Sequence, residues 1–161
     1  MKVLDKSLAE KSFQVFAKNK VPMIGFCKPE LRSLDANGCE IIIPLSDATK
    51  NHVDSLYFGA LAVGADITAG FLAICLSQQS EHYVELVFKD FKADFKKRAL
   101  ADTHFYCEQG ELIRSMIAET IETKERVSQP IRVIAKTPTL MDDVVAEFEL
   151  TLSLKCKPAV A

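Results

Sequence analysis

The sequence predicts an α+β fold in which one curved antiparallel sheet wraps around one long helix. Residues 57–76 are almost wholly apolar and small, and a helix that is apolar on all sides is normally buried. The segments that follow alternate apolar and polar residues, as strands with one buried face do. Such a sheet offers the apolar face that the long helix needs for its burial.

The segments on either side of residue 57 each predict an element of this fold. Residues 6–18 have apolar side chains at helical spacing, which predicts a short amphipathic helix that ends before Pro22. Asn37-Gly38 lies between two extended runs and predicts a β-hairpin, because both residues tolerate a positive φ. The long helix itself is expected to be continuous from about Ser55 to Cys75.

The second half of the chain predicts four extended segments and one further helix. In residues 82–95 the apolar positions shift by one residue after Phe88, which predicts a β-bulge near Lys89 and Asp90 or a change of sheet face. A strand is expected at residues 103–109 and an amphipathic helix at residues 110–126. An extended segment follows at residues 130–137, and the most regular strand of the chain at residues 144–156.

Composition and charge argue against several classes of function. The formal net charge is −2 and the pI is about 5.9, so no global basic field favours nucleic acid. The three histidines lack metal-ligand spacing and the five cysteines include no CxxC pair, so we expect no metal, no cofactor and a reduced, cytoplasmic protein. We expect no signal peptide either, because the first residues carry charges throughout.

A transmembrane segment is the alternative interpretation of residues 57–76. The segment is long enough, at about 20 residues, to span a bilayer. It is rich in Gly and Ala rather than Leu and Ile, however, and no Lys or Arg cluster flanks either end. We therefore expect a buried core helix and no membrane span.

A single carboxylate, Asp66, lies in the middle of this apolar segment. With roughly 100° per helical residue, Asp66 falls on one stripe with the small residues Gly59, Ala62, Ala69 and Ala73. Small residues let a backbone or a ligand approach closely, so we expect Asp66 to face a narrow apolar crevice. Burial raises the pKa of a lone carboxylate, which makes Asp66 a candidate base or nucleophile. The alternative is a structural aspartate that accepts hydrogen bonds from a strand or a second subunit.

The stretch NHVDSLYFGALAVGAD, which begins at Asn51, resembles the motif N-x-x-G-[ST]-x-H-G-G-[AG]-x(5)-[DE] of hot-dog-fold thioesterases of the phenylacetate-pathway type. The residues FKDFKADFKKRA, at positions 88–99, are similar to the strand after the helix in an uncharacterised branch of the same superfamily. The resemblance implies one hot-dog domain over residues 1–161. Matching motif positions are Asn51, Ser55, Gly59, Ala60 and Asp66.

This resemblance also implies an activity and an assembly. It implies hydrolysis of an acyl thioester, usually an acyl-coenzyme A, in a homodimer or dimer of dimers whose sites lie between subunits. The family acid, which activates water or attacks the carbonyl carbon, corresponds to Asp66. The family backbone N–H that polarises the carbonyl oxygen corresponds to Gly59, near a helix N-terminus. The family asparagine, which orients water or the carbonyl, corresponds to Asn51.

Three positions depart from the family motif. Tyr57 replaces the histidine, Phe58 replaces the next glycine, and Asp54 replaces the first glycine. The Tyr57 hydroxyl can donate where the histidine would, and Phe58 is expected to narrow the pocket. The departures leave open a non-catalytic protein that binds acyl-CoA or lipid. A hydratase of the same fold normally pairs a histidine with the acid, and the long helix has none.

A basic cluster at the end of the strand after the helix is a candidate site for the phosphates of coenzyme A. Lys96, Lys97 and Arg98 can pair with phosphate as point charges or as a fork. A solvated strand edge protected by lysines is the alternative. Ser55 and Phe58 complete the candidate substrate-binding residues by their places in the motif.

Overall fold

A computed structural model describes residues 6–158, which form one six-stranded antiparallel sheet and four helices. In chain order the elements are α1 (Lys6–Asn19), α2 (Pro22–Phe26), β1 (Glu30–Leu34), β2 (Cys39–Ile43), α3 (Phe58–Ser77), β3 (Val84–Phe95), β4 (Thr103–Cys107), α4 (Gly110–Thr123), β5 (Arg126–Thr137) and β6 (Met141–Cys156). The strand order across the sheet is β1-β2-β4-β5-β6-β3, so β1 and β3 are the two edges.

Helix α3 lies against the apolar face of the sheet, as the sequence predicts. By length and composition alone α3 could cross a membrane, with a mean hydropathy of 1.9, but 72% of its apolar window is buried within the protein. At Gly64 the helix comes so close to β4 that a Cβ would lie 2.3 Å from the ring of Phe105. The absence of a side chain at Gly64 therefore sets how deeply α3 packs onto the sheet.

The start of α3 differs from the prediction. The helix begins at Phe58 instead of Ser55, and it ends at Ser77, two residues beyond Cys75. Ser55 is outside the helix because Tyr57 has an extended backbone, with a ψ of 141°. Hydrogen bonds hold this extended segment in place: the Leu56 N–H donates to the Ala99 carbonyl and the Tyr57 N–H to the Thr49 carbonyl, both at 2.8 Å. The acceptors of these bonds lie outside the helical segment, so the periodicity of that segment cannot predict them.

The predicted hairpin is present, but its turn has a different conformation from the one expected. Neither Asn37 nor Gly38 has a positive φ. Instead, an Asp35 carboxylate oxygen accepts the N–H groups of Asn37 at 2.7 Å and Gly38 at 2.9 Å, which closes the turn. A Cβ at Gly38 would lie 2.8 Å from the backbone oxygen of Cys107 on β4, so glycine is needed here for close approach.

The predicted β-bulge is confirmed. Phe88 pairs with Leu152 and Phe91 with Leu150, so β3 has one residue more than β6 between these pairs. An Asp90 carboxylate oxygen fills the bulge by accepting the backbone N–H and the hydroxyl of Thr151, at 3.2 Å and 2.8 Å. The extra residue keeps Phe88, Phe91 and Phe95 on the same inner face of the edge strand.

Candidate active site

Asp66 is a half-buried carboxylate near the middle of α3. Burial raises the pKa of this carboxyl above its ordinary value of 3.8. Within residues 6–158 the carboxylate accepts no hydrogen bond and forms no ion pair. A structural aspartate would have such partners, because an unpaired buried charge is costly. The lack of partners therefore favours a functional role for Asp66, such as contact with a ligand, over a structural role.

The surroundings of Asp66 differ from the predicted stripe. Ala69 and Ala73 are buried in the protein interior, whereas Asp66 is half-buried. Gly70, which is also buried, lies next to the carboxylate: a Cβ there would lie 3.9 Å from Asp66 Oδ1 and 3.6 Å from the ring of Phe88. The carboxylate thus lies on the side of α3 that faces the edge strand β3.

Two residues at this position, Gly70 and Phe88, were absent from the candidates drawn from the sequence. Gly70 stands four residues after Asp66, which is the spacing of neighbours on one helix face, so a wider stripe would include it. The sequence identifies Phe88 only as a strand residue. Its proximity to Asp66 depends on how β3 pairs with β6, which no local pattern in the sequence encodes.

The N-terminus of α3 carries free hydrogen-bond donors. In the described part of the chain, the backbone N–H groups of Phe58, Gly59 and Ala60 have no partner, as expected for the first turn of a helix. The ring of Tyr57 lies across Gly59, where a Cβ would come within 2.5 Å of it. Tyr57 and Phe58 are both exposed, with ring centroids 4.7 Å apart.

The loop before α3 is organised by Asn51. Its side-chain oxygen accepts the backbone N–H groups of Val53 at 3.0 Å and Ser55 at 3.1 Å. Its amide nitrogen donates to the Ser55 hydroxyl at 3.0 Å. Asp54 has φ of 54°, a left-handed conformation that glycine adopts without strain and aspartate tolerates. This left-handed backbone explains why the family motif has a glycine at the position of Asp54.

A cavity of about 310 Å³ opens beside this loop and the start of α3. The basic residues predicted to bind phosphate lie together in its wall. Lys96 pairs with Asp94 at 2.8 Å and Lys97 pairs with Asp143, whereas Arg98 is exposed and has no carboxylate partner among the described residues. The lining residues are Asn51, Ser55, Leu56, Phe58, Leu61, Phe95, Lys96, Lys97, Arg98 and Ala99. Leu56, Leu61, Phe95 and Ala99 were not among the sequence candidates.

Asp66 does not line this cavity. Asp66 lies seven positions after Gly59 in the helix, and this spacing corresponds to about 10 Å along the axis of α3. A single thioester carbonyl cannot contact both groups at that distance, because each contact requires about 3 Å. One copy of the chain therefore brings together the basic cavity and the helix N-terminus, but not the carboxylate.

Other chemistries have weaker support in the part of the chain that the structure describes. Burial raises the pKa of the Cys75 thiol to about 12, so it stays protonated and is a poor nucleophile at neutral pH. No group of three or more potential metal ligands lies together there. His104 is paired with Glu40 at 2.7 Å between strands β4 and β2, away from the α3 helix. Asp66 is thus the strongest candidate for acid–base or nucleophilic chemistry.

Comparison with known proteins identifies the family. The family model described as "Domain of unknown function (DUF4442)" matches residues 9–154. The chain belongs to this family. No curated protein sequence matches it significantly.

Solved structures extend the likeness over nearly the whole fold. A Pseudomonas aeruginosa protein of unknown function, described as a "Probable Thioesterase", has a TM-score of 0.76 at 19% identity and covers 96% of this chain and 97% of its own. A Chlorobaculum tepidum protein of unknown function has a TM-score of 0.83 at 13% identity, covering 96% and 98%. A Haemophilus influenzae thioesterase has a TM-score of 0.67 at 12% identity, covering 91% and 90%. This likeness shows that the chain has the predicted hot-dog fold.

Proposed function

We propose that the protein hydrolyses acyl thioesters of coenzyme A, with Asp66 as general base or nucleophile. The observation that carries this proposal is the half-buried Asp66 carboxylate, which has no partner among the described residues and is bordered by Gly70 on the helix face toward β3. The thioesterases of similar fold support this reaction class.

The chemistry divides between the middle and the N-terminus of α3. Ionised Asp66 would either remove a proton from water or attack the thioester carbonyl carbon directly. The charge that develops on the carbonyl oxygen would be stabilised by the free N–H of Gly59 at the helix N-terminus. Asn51, whose amide and oxygen are already engaged with Ser55, would act mainly by holding the loop that positions this donor.

The proposed site requires two copies of the chain. Strand β3 is a long free edge with two exposed phenyl groups, Phe91 and Phe95, on its inner face, and such edges are normally covered. A two-fold axis that pairs two β3 strands antiparallel also makes the two α3 helices antiparallel. The N-terminus of one α3 can then approach Asp66 of the other. One carbonyl can therefore contact both groups, although they lie about 10 Å apart within a single chain.

Arg98 offers a test of the substrate class. Because Arg98 is the cavity cation without a carboxylate partner, we expect Arg98→Ala to raise KM for an acyl-CoA by about tenfold with kcat nearly unchanged. The matching acyl thioester of N-acetylcysteamine lacks the phosphates, and its hydrolysis should be unaffected. Arg32→Ala, a change of an exposed arginine outside the cavity and on the opposite edge strand β1, is the matched control. An equal loss with both substrates would rule out phosphate binding by Arg98.

The pH dependence provides a second test. Only the ionised carboxylate can act as base or nucleophile, so kcat/KM should rise with pH through the pKa of Asp66. Burial raises that pKa, so the midpoint of the acidic limb should lie above the ordinary value of 3.8. If kcat/KM of the Asp66→Asn variant still falls at low pH, that fall is due to the ionisation of another group.

A thiol-release screen over short, long and aromatic acyl-CoAs tests the proposed activity itself. We expect measurable hydrolysis of at least one class. The alternative function is non-catalytic binding of acyl-CoA or lipid, and one observation favours it: the motif histidine is replaced by Tyr57, whose ring covers Gly59. Binding of an acyl-CoA without thiol release from any member of the series would establish this alternative.

A further inference from the structure

Helix α2 is apolar on two opposite faces. Ile24 and, just after the helix, Cys27 point into the core and are 3% and 5% exposed. On the other side, Met23 is 66% exposed and Phe26 is 60% exposed. These two side chains are three residues apart and thus lie on one helix face. Large apolar side chains exposed together mark a surface that contacts another apolar phase.

The surroundings of this face are basic. Residues 6–32 contain six lysines and arginines but only two carboxylates, although the whole chain has a net charge of −2. Lys20 and Lys28 flank α2 directly, and each is exposed. The Lys28 N–H donates to the Gly25 carbonyl at 3.1 Å, which places Lys28 against the last turn of α2.

Three lysines of this region have no carboxylate partner among the described residues. Lys11, Lys20 and Lys28 make no ion pair with any described residue. Three lysines of the sheet, by contrast, have carboxylate partners: Lys92 lies 2.9 Å from Glu149, Lys136 lies 3.0 Å from Asp142 and Lys155 lies 3.6 Å from Glu125. The N-terminal helices therefore present free positive charge around exposed apolar side chains.

From this juxtaposition we propose that α2 and its flanking lysines dock on the surface of an anionic lipid bilayer. Met23 and Phe26 enter the boundary between headgroups and acyl chains, while Lys20 and Lys28 contact the anionic headgroups. A second copy of the chain fits this surface less well, because a symmetric contact would bring the same unpaired lysines face to face. The docking is peripheral, since α3 remains in the core, and it does not depend on the proposed hydrolysis.

A single tryptophan can test this docking, because the chain has none. Phe26→Trp should show a blue shift of its emission with vesicles of phosphatidylcholine and phosphatidylglycerol at low salt, and none with phosphatidylcholine alone. Leu140→Trp, at a position 56% exposed in the turn between β5 and β6, should show no shift and serves as the control. Co-sedimentation of the unmodified chain with the same vesicles should follow the same pattern.

The charge contribution has its own matched pair of variants. The double variant Lys20→Gln and Lys28→Gln should weaken vesicle binding about thirtyfold, because it removes two positive charges that contact the anionic surface. Lys136→Gln with Lys155→Gln changes the net charge equally and should leave binding within a few-fold. The proposal is overturned if the emission of Phe26→Trp does not respond to anionic vesicles. It is also overturned if that emission is already blue-shifted without lipid and changes on dilution, since a second copy would then cover α2.

Discussion

Replacing Asp66 with asparagine is expected to lower thiol release from a cleavable acyl-CoA by about a hundredfold or more, the scale of one general base. The amide keeps the shape of the side chain but can neither accept a proton from water nor attack a carbonyl. Asp142→Asn, a change of an exposed carboxylate paired only with Lys136, is the matched control and should keep full turnover. Turnover of Asp66→Asn within a few-fold of the wild type would exclude Asp66 from the chemistry.

The stability of the same variant separates a catalytic from a structural role. The folded-state pKa of Asp66 is raised, so the folded protein holds the proton more tightly than the unfolded chain does. Its ionisation therefore removes stability as pH rises from the unfolded pKa through the folded one, and the loss is complete above both. At neutral pH, Asp66→Asn should leave Tm unchanged or raise it by about 2–4 °C. A clear fall in Tm would indicate that the carboxylate has a structural partner.

Placing a charge on the free edge of the sheet is expected to abolish both assembly and activity. Phe91 is 42% exposed on the inner face of β3, and Phe91→Glu would bury a carboxylate between two copies. Light scattering should then show a monomer with the circular dichroism of the folded chain, and thiol release should fall to background. The reason is that Asp66 would lose the helix N-terminus supplied by the other copy.

Leu140→Glu is the control for introducing a negative charge on an exposed apolar side chain. Leu140 is also exposed but lies between β5 and β6, away from the edge strand β3. This variant should remain a dimer and keep its turnover. A wild-type chain that is itself a stable monomer at micromolar concentration, yet active, would contradict the shared site.

The bulge and the central helix could be predicted because local periodicity encodes them. A strand repeats every two residues, so a shift by one after Phe88 can only mean an extra residue or a change of face. An apolar pattern on all sides of residues 57–76 likewise allows little besides a buried or membrane helix. Asp66 stood out for the same reason, as a single charge within that pattern.

Features that depend on distant residues were not predicted. At the hairpin, Gly38 closely approaches the Cys107 carbonyl of a strand far along the chain, while the Asp35 carboxylate that closes the turn is only two residues from Asn37. The first residue of α3 depends on hydrogen bonds to Thr49 and Ala99. The proximity of Phe88 to Asp66 depends on the pairing of β3 with β6. The contacts with Cys107, Ala99 and Phe88 are non-local, so no short window of sequence contains them, whereas the Asp35 contact is local.

Activity of a mixed dimer tests the central proposal, a site shared between two copies, most directly. One copy carries Asp66→Asn and the other carries Lys96→Gln, Lys97→Gln and Arg98→Gln, and the mixed dimer is isolated through two different tags. Each parent dimer should have low kcat/KM for an acyl-CoA, because every site lacks either the carboxylate or the basic wall. If Asp66 of one copy works with the cavity of the other, the mixed dimer contains one intact site and should recover about half of the wild-type kcat/KM. If the mixed dimer is no more active than the average of its parents, each site lies within one chain and the proposal is contradicted.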